Sequence, residues 1–157
     1  MSWSRARFHA IPCALALLLA PLPAMAQNVG ADIDVLAGVI SGEGYKAKIS
    51  TEDGAPHILS ESSGSPFAML LMGCTENRNC TTVQFYAGFS KKGVTLDTIN
   101  SWNAEKRFGR AYLDDEGDPV IEMDINLDHG GVSRANFVDN LDVWIELMGA
   151  FKKHIDW

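Results

Sequence analysis

An α+β fold, one antiparallel sheet with helices packed on one face, is what this 157-residue sequence predicts. Three observations predict it. Apolar residues recur at helical spacing in three stretches, 31–44, 95–108 and 133–155. Six short runs of strand-like composition lie between these stretches, at 45–50, 56–61, 66–74, 80–90, 110–113 and 119–128. The breaks between runs are short and rich in Gly, Asp, Asn and Ser, which suits antiparallel neighbours. The resulting order, α-β-β-β-β-α-β-β-α, builds one sheet layer under one helix layer.

The first helical stretch, "ADIDVLAGVISGEG", carries Ile33, Leu36, Val39 and Ile40 on one stripe, and Gly42 and Gly44 end it. "FAMLLM", within 66–74, is apolar at every position, which predicts a central strand covered on both faces. The second helix starts at Thr95, an N-cap residue, with Asp97 favourable in its first turn. Leu96, Ile99 and Trp102 form its expected buried side, and Gly109 is its expected stop.

The last helix is the most regular element. Ser133 is its N-cap, and it runs to about His154. Phe137, Leu141, Trp144, Met148, Phe151 and Ile155 alternate steps of four and three, a single apolar face that Val138 and Ile145 widen. Core packing explains such a face. A dimer seam along part of it is the sharper reading.

The first 26 residues read as a leader. Arg5 and Arg7 precede a short apolar run, 11–20, and Ala24-Met25-Ala26 offers a small-x-small cleavage site. The run falls short of the ~20 residues that span a bilayer. Residues 27–157 are then one exported domain, with no membrane span in the mature chain. The expected location is the periplasm of a Gram-negative bacterium. Cleavage removes two arginines and no acid, so the net charge of −7 becomes −9. Such a surface repels nucleic acid. Cys13 leaves with the leader. The close pair that stays, Cys74 and Cys80 in "CTENRNC", reads as a disulfide in an oxidising compartment. Redox-active C-x-x-C spacing is absent, and no second Cys or His pair follows for zinc.

Acidic residues concentrate in "RAYLDDEGDPVIEMDINLDHGGVS", 110–133. Residues 119–128 alternate strictly: Ile121, Met123, Ile125 and Leu127 point one way, and Glu122, Asp124, Asn126 and Asp128 the other. A loop centred on Glu116-Gly117-Asp118, with Gly117 at positive φ, would set Arg110 opposite Asp124. Glu122, Asp124 and Asp128 are the candidate interaction face. The plainest reading is a solvated face; a partner-binding face is the next. A periplasmic small-ligand or metal sensor, with Asp114, Asp115 and Asp118 at its tip, is the alternative. The spacing matches no calcium loop. His129 beside Asp128 is a pH-sensitive pair or a plain turn residue. No G-x-S-x-G, H-E-x-x-H or phosphate loop occurs, so the expectation is a protein without catalytic residues, metal site or cofactor.

One stretch, 99–137, carries a family likeness. Trp102-Asn103, Arg107-Phe108, Ala111-Tyr112-Leu113, Asp115, Gly117-Asp118-Pro119, Gly131-Val132 and Phe137 resemble the YbjN family of bacterial sensory transduction regulators. The likeness extends more loosely over 31–155. It implies a fold similar to type III secretion chaperones, which tend to dimerise and bind protein segments. It implies no catalytic residues. Most motif positions also have a structural reading: Trp102 fills the core, and Asn103 satisfies buried backbone at the helix end. Together these readings predict an exported interaction or regulatory module that binds a protein or peptide, with a homodimer among its expected states.

Overall fold

The computed structural model describes residues 28–52, 56–76 and 79–157, so the expected leader, 1–26, lies outside the described residues. Eleven elements follow one another. They are β1 (Asn28–Val29), α1 (Ile33–Gly42), β2 (Lys48–Ser50), β3 (His57–Ser62), β4 (Ser65–Met72), β5 (Thr82–Gly88), α2 (Leu96–Glu105), β6 (Arg110–Leu113), β7 (Pro119–Asn126), β8 (Val132–Ser133) and α3 (Arg134–His154). The main sheet is antiparallel, in the order β2-β3-β4-β5-β7-β6. The predicted α+β order is present, with β1 and β8 added as a two-stranded sheet.

Local chemistry sets the helix starts. Asp32 caps α1, its carboxylate accepting from the amides of Asp34 and Val35, each at 3.0 Å. Thr95 caps α2 by accepting from the Thr98 amide, and Ser133 caps α3 by accepting from the Asn136 amide, each at 3.2 Å. The small β1–β8 sheet, which the sequence reading missed, depends on Gly131. A Cβ there would stand 2.2 Å from the Val29 carbonyl oxygen. Only glycine lets the two backbones meet, and this buries Val29.

The core lies between α3 and one face of the sheet. Ile58, Phe67, Met69, Leu71, Val83, Phe85, Ala87, Ile121, Met123 and Ile125 supply the sheet side. All six stripe residues of α3 are buried in this layer. Trp144 stacks on Phe85 at 5.5 Å and meets Phe67 edge-on at 6.1 Å. One turn pair further on, Phe151 joins Trp102 of α2 at 4.9 Å and Phe89 at 5.7 Å. The stripe is thus consumed inside the protomer, and a dimer seam along it is not available.

Three other expectations need correction. Leu96 is 66% exposed, because it opens α2 and has nothing packed over it; Ile99 and Trp102 are buried as expected. The helix ends at Glu105, with the Lys106 amide donating to the Trp102 carbonyl, four residues before Gly109. β4 is central, but only its inner face is covered. Phe67, Met69 and Leu71 are buried, whereas Pro66 and Met72 are exposed and Ala68 and Leu70 half-buried. The cause is the one-sided placement of the helices.

The Cys74–Cys80 disulfide is formed, closing the connection from β4 to β5.

Truncating the fully buried Trp144 to alanine removes the contact between helix and sheet. The expected loss is about 3–5 kcal/mol in urea unfolding. A loss under about 1 kcal/mol would show that Trp144 does not anchor the layers.

Candidate functional site: the open face of the sheet

The helix-free face of the sheet is where the candidate residues meet. Register aligns one row across all six strands: Lys48, Leu59, Ala68, Tyr86, Glu122 and Arg110. A second row holds Ser50, His57, Leu70, Gln84 and Asp124. Leu59, Ala68 and Leu70, beside Tyr86, make an apolar part of this surface, and side chains of β5, β7 and β6 make a hydrogen-bonded polar cluster.

Glu122 is the centre of the polar cluster. Strand alternation places it with the outward acids, yet it is only 5% exposed. Its neighbours cover it. The Tyr112 hydroxyl donates to Oε1 at 2.8 Å, the Gln84 amide to Oε2 at 3.5 Å, and the Arg110 guanidinium pairs with Oε2 at 2.5 Å. A buried carboxylate needs such partners to keep its charge. Gln84 also donates to Asp124 at 2.9 Å, which links the two acids through one amide.

The tyrosines record this environment. Burial, then the bond and charge of Glu122, push the Tyr112 hydroxyl up to about 12. Burial, then the carboxylates of Asp114 and Glu122, raise Tyr86 as well. Both hydroxyls therefore stay protonated at neutral pH, which keeps Tyr112 a donor to Glu122.

The expected pairing of Arg110 with Asp124 is corrected to Arg110 with Glu122. The loop is centred one residue earlier than expected, on Glu116, and the partner shifts by two. Asp114 causes this. Its Oδ1 accepts from the amides of Glu116 and Asp118, at 3.0 and 2.8 Å, and closes a five-residue turn. Gly117 has the expected positive φ, +80°. Asp128 is exposed, as the alternation of 119–128 predicts. It lies past the end of β7, where its carboxylate accepts from the His129 amide at 2.8 Å. Of the three candidate acids, Glu122 and Asp124 share the Gln84 amide, and Asp128 sits in the turn after the strand. Among the described residues, no group of three or more His, Cys, Asp or Glu gathers around a metal-sized space.

The other motif residues divide by role. Trp102 is core. Asn103 reaches across to β6, accepting from the Ala111 amide at 2.8 Å and donating to its carbonyl at 3.0 Å. The backbone it satisfies is that of the edge strand, not the helix end. Asp118 fastens the 114–118 turn to the segment after β5, accepting from the Lys91 amide at 3.1 Å and pairing with Lys92 at 3.0 Å. Pro119 opens β7, and its carbonyl accepts from the Phe89 amide at 2.9 Å. Asp115 is exposed. Arg107 lies over the ring of Phe108, 5.5 Å from its centroid.

The apolar part of the face was missed as a site. Leu59, Pro66, Ala68, Tyr86 and Gly88 line an open groove there. The Tyr86 ring lies over Gly88, its hydroxyl 3.4 Å from where a Cβ would stand. The apolar run "FAMLLM" was the signal, since half of its side chains had to point away from the helices.

With the geometry in hand, residues 32–157 match the model of the YbjN family, described as "Putative bacterial sensory transduction regulator". The chain belongs to the YbjN family. No curated protein matches it in sequence. The match covers every strand of the open face and both residues of the Asn103–Ala111 clamp. Its description names a regulator rather than an enzyme.

The raised Tyr112 value has a measurable sign. The folded chain holds this proton above the ordinary tyrosine value of 10.0. Its contribution to stability is complete below that value and is lost as pH rises from 10 to about 12. Wild-type protein should lose stability across this window, and Tyr112→Phe should lose less. Tyrosinate absorbance should show Tyr112 ionising near 12. Identical titrations of wild type and variant would refute the assignment.

Proposed function

We propose that this YbjN-family chain is an exported, non-enzymatic regulatory module. In this reading it binds an apolar segment of a protein partner on the open face of its sheet. The groove of Leu59, Pro66, Ala68, Tyr86 and Gly88 carries the reading. Sheets with helices on one face usually solvate the other with polar side chains. Here that face leaves Leu59, in the groove, 40% exposed, and Met72, further along β4, 44% exposed. The polar cluster next to it is already satisfied internally. Glu122 is neutralised by Arg110 and bonded by Tyr112 and Gln84, so the cluster fits a rigid border rather than a site for a cation. The chaperone-like architecture implied by the family resemblance supports the same reading. Export is supported by the leader pattern and by the disulfide.

Two measurements test this. N-terminal sequencing of the protein purified from its native host should begin at Gln27; a chain retaining Met1 would remove the exported part of the reading. A photocrosslinking side chain at Ala68 should capture a discrete envelope protein. The same group at Asp142, on the exposed side of α3, should not. Leu59→Asp should abolish capture from Ala68 while leaving the unfolding midpoint within a few degrees. Equal capture from both positions would refute the groove as the binding surface.

A further inference from the structure

β4 is the strand of the main sheet whose outward side chains are all apolar. Pro66, Ala68, Leu70 and Met72 follow one another at every second residue, the outer two exposed and the inner two half-buried. The residue steps from Pro66 to Met72, at about 3.3 Å each, make a stripe ~20 Å long. The groove described above is one end of this stripe, and Leu70 and Met72 continue it past the groove. Leu59 on β3 and Tyr86 on β5 stand beside Ala68 in register, so the stripe widens there to three strands, about 10 Å.

The backbone under this stripe is already paired. β4 runs antiparallel to β3 on one side and to β5 on the other, and both ladders pass through residues 68–70. An extended segment laid over the stripe would press its own amides and carbonyls onto apolar side chains, with nothing to bond them. Such a segment fits instead the free edge of β2, two strands away. A helix bonds its backbone within itself. Its width of about 10–12 Å matches the stripe, and ~13 residues at a rise of about 1.5 Å cover its length.

Charge marks the two banks of the stripe. Lys48 on β2 lies beyond Leu59 in the row of Ala68, and Asp124 on β7 lies beyond Gln84 in the row of Leu70. Both are exposed. Among the described residues, Lys48 has no hydrogen-bond or ion-pair partner, and Asp124 accepts from the Gln84 amide but has no ion-pair partner. The banks are four strand spacings apart, ~19 Å, a gap that one helix with a long charged side chain on each flank bridges. We infer that the open face takes an amphipathic α-helix of a protein partner, laid along β4, with an acidic residue on the flank facing Lys48 and a basic residue on the flank facing Asp124. This rests on the reading of the groove above and adds the conformation and charge of the bound segment.

Four synthetic peptides of about 15 residues test it. Three are stapled helices with one leucine stripe, and their two flanks carry Glu and Lys, Lys and Lys, or Glu and Glu. The fourth alternates the same leucines with polar residues and contains prolines that bar a helix. Binding is read from the methyl signals of Leu59, Leu70 and Met72 in a titration at about 0.15 M salt, where distant charges are screened. The Glu/Lys helix should move these signals and bind the wild-type chain most tightly, and Leu70→Asp should weaken it roughly tenfold. K48E should make the Lys/Lys helix the preferred one, and D124K the Glu/Glu helix, each by about threefold. Binding of the extended peptide in place of the helices overturns the inference and leaves the groove reading standing. So do shifts confined to the amides of β2. An order of the three helices that neither charge variant changes overturns it as well. If none of the four binds at about millimolar peptide, the inference fails, and the photocrosslink at Ala68 decides the groove reading by itself.

Discussion

Trp144 packs against the pair Phe67 and Phe85, and the architecture depends on that contact. It fixes α3 to the middle strands of the sheet. Phe151, two turns later on the same stripe, then positions α2 through Trp102. Because α3 carries one apolar face, it can cover one side of the sheet and no more. The other side is left to the chemistry of its own side chains. Everything distinctive about the open face follows from this one-sided core.

Two solutions to that exposure sit side by side. On β5, β6 and β7, polar side chains bond one another around Glu122, which makes a charged residue compatible with near-complete burial. On β3, β4 and β5, small and apolar side chains leave a groove with no internal cover. The first solution is rigid, since each group has its partner and Tyr112 holds its proton far above neutrality. The second leaves surface for another molecule.

The edges of the sheet are managed with similar economy. β6 would present free amides and carbonyls to solvent, and Asn103 occupies those of Ala111. One side chain on α2 therefore does what a seventh strand would do, and it holds α2 against the sheet. Its pairing with Trp102 in the sequence makes sense on this basis. Adjacent residues on a helix point about 100° apart, so one enters the core while the other reaches the edge.

Periodicity and capping were legible in the sequence by itself. The α3 stripe, the Thr95 and Ser133 caps, the alternation of 119–128 and the Cys74–Cys80 bond depend on residues close in the chain, whose geometry is local. Tertiary structure decided what depends on register and on coverage. Asp114 moved the turn by one residue and gave Arg110 to Glu122 instead of Asp124. The one-sided helix layer left half of "FAMLLM" facing outward. Alternation tells which side chains share a face, but not which face receives the helices. That choice comes from the summed packing of distant elements, and it is what turned an apolar strand into a candidate binding surface.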